Sequence, residues 1–155
     1  MAGTVDTRLA ELGITVPQAA APVANYVGYV VSANQVFVSG QLPLADGKPQ
    51  VLGKLGADVS LEDGVKAARL CAINLIAQVK AACGGELDRV VRVVRLGGFV
   101  NSTPDFTDHP KVVNGASDLM VEVFGDAGRH CRAAVGVPSL PLGVAVEIDA
   151  VFEIR

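Results

Sequence analysis

From Val144 to Ile154 every even position is apolar, and Glu147, Asp149 and Glu153 stand on odd ones. A period of two predicts a strand with one face in a core. The segment Arg132 to Val137 predicts a partner strand, joined to the last by Pro138-Ser-Leu-Pro-Leu-Gly143. Upstream, Tyr26 to Val31 and Gln35 to Gln41 are β-branched and aromatic runs around Ser32-Ala-Asn34, which predicts a β-hairpin followed by a loop from Pro43 to Asp58.

A different period runs through the middle of the chain. After Ser60, the apolar residues Leu61, Val65, Ala68, Ala72, Ile76 and Val79 recur three or four apart. Ser60 is a potential cap with Asp63 three residues on, so a helix of about six turns is expected, closed by Gly84-Gly85. Leu87 to Val100 is valine-rich and bounded by glycines, which predicts a buried strand placed centrally in the sheet. Arg92 and Arg95 have opposite parity along it, so they are expected on opposite faces. Asn101 to Pro110, His109 included, predicts a loop, and Val112, Ala116, Leu119, Met120 and Val123 predict a second helix ending at Gly125.

Two strands, helix, strand, helix, two strands is the order of an α+β sandwich with both helices on one face of a mostly antiparallel or mixed sheet. Residues 1–22 read as an N-terminal arm, with a short helical turn from Thr7 to Leu12, and 23–155 as a single domain. A chain of 155 residues needs only one core. Half of it is hydrophobic and only 19% is charged, below the roughly 25% usual for soluble domains. A second copy of the chain is therefore the expected cover for the helix-free sheet face.

Charge and cysteine content narrow the function classes. A net charge of -3 without a basic run offers no footprint for a phosphate backbone, so nucleic acid is not expected as a partner. Cys71, Cys83 and Cys131 lack CxxC spacing, which predicts neither a disulfide framework nor a zinc site. The first twenty residues do not pattern as a signal peptide, and no apolar run approaches the roughly 18 residues of a membrane span. A cytoplasmic location away from membranes is the expectation.

The candidate chemistry sits near the C-terminus, where Arg132 opens one strand and Glu147 lies inside the next. A guanidinium can grip a carboxylate with two parallel hydrogen bonds, and a carboxylate can orient or deprotonate water. Taken singly, an arginine at a strand end and a glutamate on a polar face are ordinary surface residues. Asn114 alone reads as a helix cap, Ser39-Gly40 as a bend, and Tyr26 as a strand-end aromatic. His130 and Cys131 adjoin Arg132, but neighbours on a strand point to opposite faces, which argues against a thiol–imidazole pair.

Together these residues resemble the RidA (YjgF/UK114-like) family. The resemblance rests on Tyr26 ahead of Val38-Ser39-Gly40-Gln41-Leu42-Pro43, on Val113-Asn114, and on Arg132 followed by Leu140-Pro141 and Val146-Glu147-Ile148. It implies the fold of bacillus-type chorismate mutase, a homotrimer with clefts between subunits, and hydrolysis of reactive enamines and imines such as 2-aminoacrylate to 2-keto acids and ammonia. By the same resemblance Arg132 holds the substrate carboxylate, Glu147 positions the attacking water, and Tyr26, Ser39, Gly40 and Asn114 line the cleft. The implied partner is a small carboxylate-bearing metabolite, and no cofactor or metal is implied.

The chain also departs from the family's deaminase form. The stretch between Asn114 and Arg132 is slightly longer, Ala134 stands where that form often has cysteine, and the arm, the loop Thr103 to Lys111 and Gly128-Arg129-His130-Cys131 all differ. A divergent branch with an altered pocket rim is expected. Metabolite binding without turnover is the alternative reading, and an endoribonuclease or translation inhibitor, a role attached to some family members, is disfavoured by the acidic balance.

Overall fold

Helix spacing in the sequence becomes burial in the computed structural model, which describes residues 3–22 and 24–155. Val23, where the expected boundary between arm and domain falls, lies outside the described residues. The long helix α2 spans Leu61–Ala82, and its N-cap Ser60 accepts the Asp63 N–H at 3.1 Å. Ala68, Ala72, Leu75, Ile76 and Val79 on its inner stripe are all fully buried. Helix α3, His109–Phe124, carries Pro110 in its first turn and stops at Gly125, whose φ of 65° suits glycine. The two helices meet closely: a Cβ at Gly115 would stand 2.2 Å from the Val65 carbonyl oxygen, so only glycine fits there.

The sheet contains β1 (Tyr29–Ser32), β2 (Gln35–Gln41), β5 (Val90–Asn101), β6 (Cys131–Val137) and β7 (Val146–Ile154), and β3 (Leu44–Ala45) with β4 (Lys48–Pro49) forms a separate hairpin. Spatial order is β1-β2-β7-β5-β6, with β5 and β6 parallel and the other neighbours antiparallel. In β7 the even positions are buried and the odd ones half-buried, as the alternation predicts. Phe152 and Ile148 are fully buried, each worth roughly 1.5–3 kcal/mol by removal from water. Strand β5 is paired on both sides, and α2 and α3 cover one face of the sheet. The result is a mixed α+β fold of the chorismate-mutase-like kind.

Several local expectations need correction. The first strand begins at Tyr29, because residues around Tyr26 form a bend, and residues 87–89 make a single 3-10 turn before β5 starts at Val90. The expected loop from Pro43 to Asp58 contains the β3–β4 hairpin. Arg92 and Arg95 share a face: the register slips between Val93 and Arg95, so Arg92 pairs with Glu153 and Arg95 with Val151, both on the helix-free side. His109 is the first residue of α3 and not a loop residue, because the helix begins three positions before the apolar repeat.

The first helix, α1, spans Thr4–Glu11 and buries Val5 and Leu9 against α3. Its cap comes from far along the chain, since the Asp88 carboxylate accepts the N–H groups of Thr4 and Val5, each at 2.9 Å. Opposite the helices, the sheet exposes Val30, Phe37 and Val135, at 51, 45 and 45%.

Candidate functional site

Arg132 stands on the edge strand β6, in register with buried Leu96, so its side chain shares the face of the helices. Its Nη1 donates to Ser117 Oγ at 3.0 Å, and its Nη2 donates to the Pro110 carbonyl at 3.2 Å. Two bonds to α3 fix the guanidinium plane and leave its other N–H groups free for an anion. Behind it lies a relay. His130 Nδ1 is 2.7 Å from the Gly128 carbonyl, which can only accept, so Nδ1 carries the proton. Nε2 of the neutral ring then accepts the Ser117 hydroxyl at 2.8 Å. Burial pushes the His130 pKa down, the Arg132 charge adds to that, and the Gly128 carbonyl opposes it. The imidazole therefore stays neutral, and Ser117 keeps a lone pair for Arg132. Asn114, Ser117, Asp118, Arg129, His130 and Arg132 line a shallow cleft of about 260 Å³.

Glu147 belongs to different surroundings. It lies between buried Val146 and Ile148, in register with Phe99, and so projects from the face without helices. Desolvation raises its pKa above the ordinary carboxylate value, with a further push from Asp149. Gly40 makes room for it, because a Cβ there would come within 2.6 Å of Glu147 Oε2. The register between β2 and β7 slips between Val38 and Gln41, where Ser39-Gly40 bends the strand. Ser39 Oγ donates to the Val27 carbonyl at 2.7 Å, which holds the segment after Tyr26 in place. Tyr26 and Gly40 share a second cleft of about 200 Å³ with Gly28, Leu42 and Leu142.

The named residues thus form two groups within one chain. Arg132 and Asn114 meet beside α3, and Tyr26, Ser39, Gly40 and Glu147 gather along β2 and β7. No cleft of the single chain among those described brings the groups together. Asn114 does not cap α3, whose N-cap is Asp108, and sits on an exposed face of the second turn. Cys131 turns away from His130 and contacts the Val94 carbonyl at 3.3 Å. Among the described residues no group of three or more His, Cys, Asp or Glu side chains is placed to hold a metal. No helix among them is long and apolar enough to cross a membrane.

Ser117 and the role of His130 escaped the sequence reading. The available signal was spacing, since Ser117 lies one helical turn after Asn114 and on the same side.

A family model described as "YjgF/chorismate_mutase-like, putative endoribonuclease" matches residues 6–153. The chain is 53% identical over 154 residues to Protein TCP17 of Trypanosoma cruzi, covering 99% of this chain and 96% of that protein. Among solved structures, protein Atu1372 of Agrobacterium tumefaciens, of unknown function, superposes with a TM-score of 0.92 at 50% identity, over 98% of this chain and 93% of that one. A protein from Shewanella oneidensis MR-1 described as a "putative endoribonuclease" gives 0.94 at 40% identity, over 98% of this chain and 100% of the other.

Proposed function

This chain belongs to the YjgF/RidA-like family, and from that premise we propose that it hydrolyses small carboxylate-bearing imines and enamines to 2-keto acids and ammonia. The observation that carries the proposal is the division of the site. An arginine clamp stands on the edge strand β6, and a desolvated carboxylate stands on the middle strand β7, on the other face of the sheet and against Gly40 of β2, with Tyr26 leading into the opposite edge strand β1. If the β6 edge of one copy meets the β1 side of the next, the halves join. Repetition of such a head-to-tail contact closes a ring, a trimer by the family resemblance, with the apolar residues Val30, Phe37 and Val135 turned inward.

In that cleft Arg132 binds the substrate carboxylate and sets the C=N carbon beside a water held by Glu147. An enamine such as 2-aminoacrylate first takes a proton on carbon and becomes the iminium. Water then adds to the C=N carbon while Glu147 accepts one of its protons, which gives a carbinolamine. Transfer of a proton to the amino group releases ammonia as the C–N bond breaks and the hydroxyl becomes the keto oxygen. The iminium is already electrophilic, so alignment and a proton acceptor supply most of what is needed. A carboxyl whose pKa is raised toward neutrality is the better acid and base for both transfers.

The test is to generate 2-aminoacrylate in situ and follow its loss with wild-type protein and Arg132→Ala. Equal rates would defeat the proposal. A second reading, metabolite binding without turnover, draws on Ala134, where the deaminase form often has cysteine. Stabilisation by 2-keto acids with no imine loss in the same preparation would favour it. Cleavage of RNA is supported less: the net charge is -3, and Arg92 and Arg95, although on one face, are engaged by the Arg129 carbonyl and by Asp149.

A further inference from the structure

A third cleft, about 530 Å³, is larger than the two described above and shares no lining residue with them. It opens where the parallel strands β5 and β6 end and α3 begins, the side of a parallel pair on which ligands commonly bind. Its volume falls within the range of small-molecule pockets, and its wall is mainly apolar, formed by Pro104, Phe106, Val137 and Pro138. Besides Thr103, whose hydroxyl donates to Asp105 at 2.7 Å, two polar features interrupt that wall. One is Lys54, half-buried, whose Nζ donates to Asn101 Oδ1 at 2.7 Å and to the Pro138 carbonyl. The other is the pair formed by Ser102 Oγ and His109 Nε2, 3.2 Å apart.

Lys54 has a third N–H to give and makes no ion pair among the described residues. The nearby acids are occupied: Asp58 accepts the Lys54 backbone N–H, Asp105 accepts the Thr103 hydroxyl, and Asp108 pairs with Lys111. Asp58 acts on the Lys54 charge from beyond ion-pair distance, and a cation with no carboxylate in direct contact at the wall of an apolar cleft favours an anion there. Sequence choices keep the space open. A Cβ at Gly136 would stand 2.4 Å from His109 Nε2 and 2.7 Å from Ser102 Oγ. Phe106 packs edge-on against the His109 ring, with centroids 5.4 Å apart, so a flat wall and the polar pair are held as one unit. The cleft also lies on Thr103 to Lys111, where the chain departs from the family's deaminase form.

We infer that this cleft is a second ligand site, which takes a small monocarboxylate with an aromatic or branched apolar body. The carboxylate meets Lys54 and the Ser102–His109 pair, and the body lies against Phe106 and Pro138. Phenylacetate is a suitable probe, with benzyl alcohol as the uncharged control. Amide shifts are followed by NMR in Arg132→Ala protein, so that an anion at the first cleft does not contribute. Saturable shifts should centre on Ser102, Phe106, His109 and Gly136, with little response to benzyl alcohol. Adding Lys54→Gln, which keeps a donor but removes the charge, should weaken binding about tenfold or more. Phe106→Ala should weaken it as well, and melting curves confirm that each variant is folded. Shifts centred elsewhere, no saturable shifts, or unchanged affinity in both folded variants would overturn the assignment.

Discussion

Arg132 and Glu147 project from opposite faces of one sheet, Arg132 beside Leu96 and bonded to α3, Glu147 beside Phe99 on the face that carries no helix. One chain cannot close both around a small acid without inverting a strand, because neighbouring positions alternate between faces. The proposed reaction therefore requires two copies, each contributing half of a cleft.

This requirement has a quantitative consequence for mixed oligomers. Arg132→Ala and Glu147→Gln should each be inactive as pure preparations. Unfolded together in equal amounts and refolded, they should regain about a quarter of wild-type turnover, the fraction of clefts that draw an intact arginine from one copy and an intact glutamate from the next. Failure of the mixture to recover, with oligomers shown to exchange, would mean that both groups act within one chain.

Glu147 should cost the fold stability in exchange for its chemistry. Its pKa is raised by desolvation and by Asp149, so the native state disfavours the charged form. The penalty is full above the raised native value and disappears below the unfolded one, about 4.3. Glu147→Gln should accordingly melt higher than wild type at neutral pH, with the difference closing as the acid range is entered. A variant that melts lower at neutral pH, with its oligomeric state intact, would contradict the burial argument.

Much of this fold could be read from the chain, and the exceptions share a cause. Periods of two and of three to four placed β7, α2 and α3 because their inner faces are almost wholly apolar: Ile148, Phe152, Leu75 and Leu119 leave little ambiguity. The bulge that brings Arg92 and Arg95 to one face adds a residue without altering composition, so parity failed there. Helix α1 begins at Thr4 because its cap, Asp88, comes from a distant segment. The candidate site was legible as residue types, through spacing that one family shares, but its division between two faces depends on the pairing of β6 with β5, which no local pattern encodes.

Ser117 should tune affinity and leave the chemical step almost untouched. Its hydroxyl accepts from Arg132 and donates to His130, so Ser117→Ala removes one fixed partner of the clamp. A charge-assisted hydrogen bond of about 1.5 kcal/mol corresponds to about a tenfold rise in KM, with kcat within a factor of about two. His130, neutral because burial lowers its pKa, adds a pH term. Its stabilising contribution is complete above the unfolded value of about 6.5 and declines as the pH falls toward its lowered native value. The Ser117→Ala effect on KM should consequently be largest above that value and shrink below it. An equal loss of kcat at all pH values would point instead to a general disturbance of α3.

Asp88 should hold α1 to the domain by a cap supplied across the fold. Its carboxylate accepts the Thr4 and Val5 N–H groups, and these bonds, Val5 first, lower its pKa below the ordinary value. A lowered native pKa means that the contribution is complete above the unfolded value, about 3.9, and is lost as the pH falls through the native one. Asp88→Ala should release the first turn of α1 and loosen Val5 and Leu9 from α3, while α2, capped by its own Ser60, stays intact. Native-state hydrogen exchange separates these regions: α1 amides should exchange about tenfold faster in the variant, with α2 amides nearly unchanged. Acidified wild-type protein should show the same selective loss before it unfolds. If the α1 and α2 amides accelerated together, α1 would belong to the single cooperative unit of the domain and Asp88 would act on global stability.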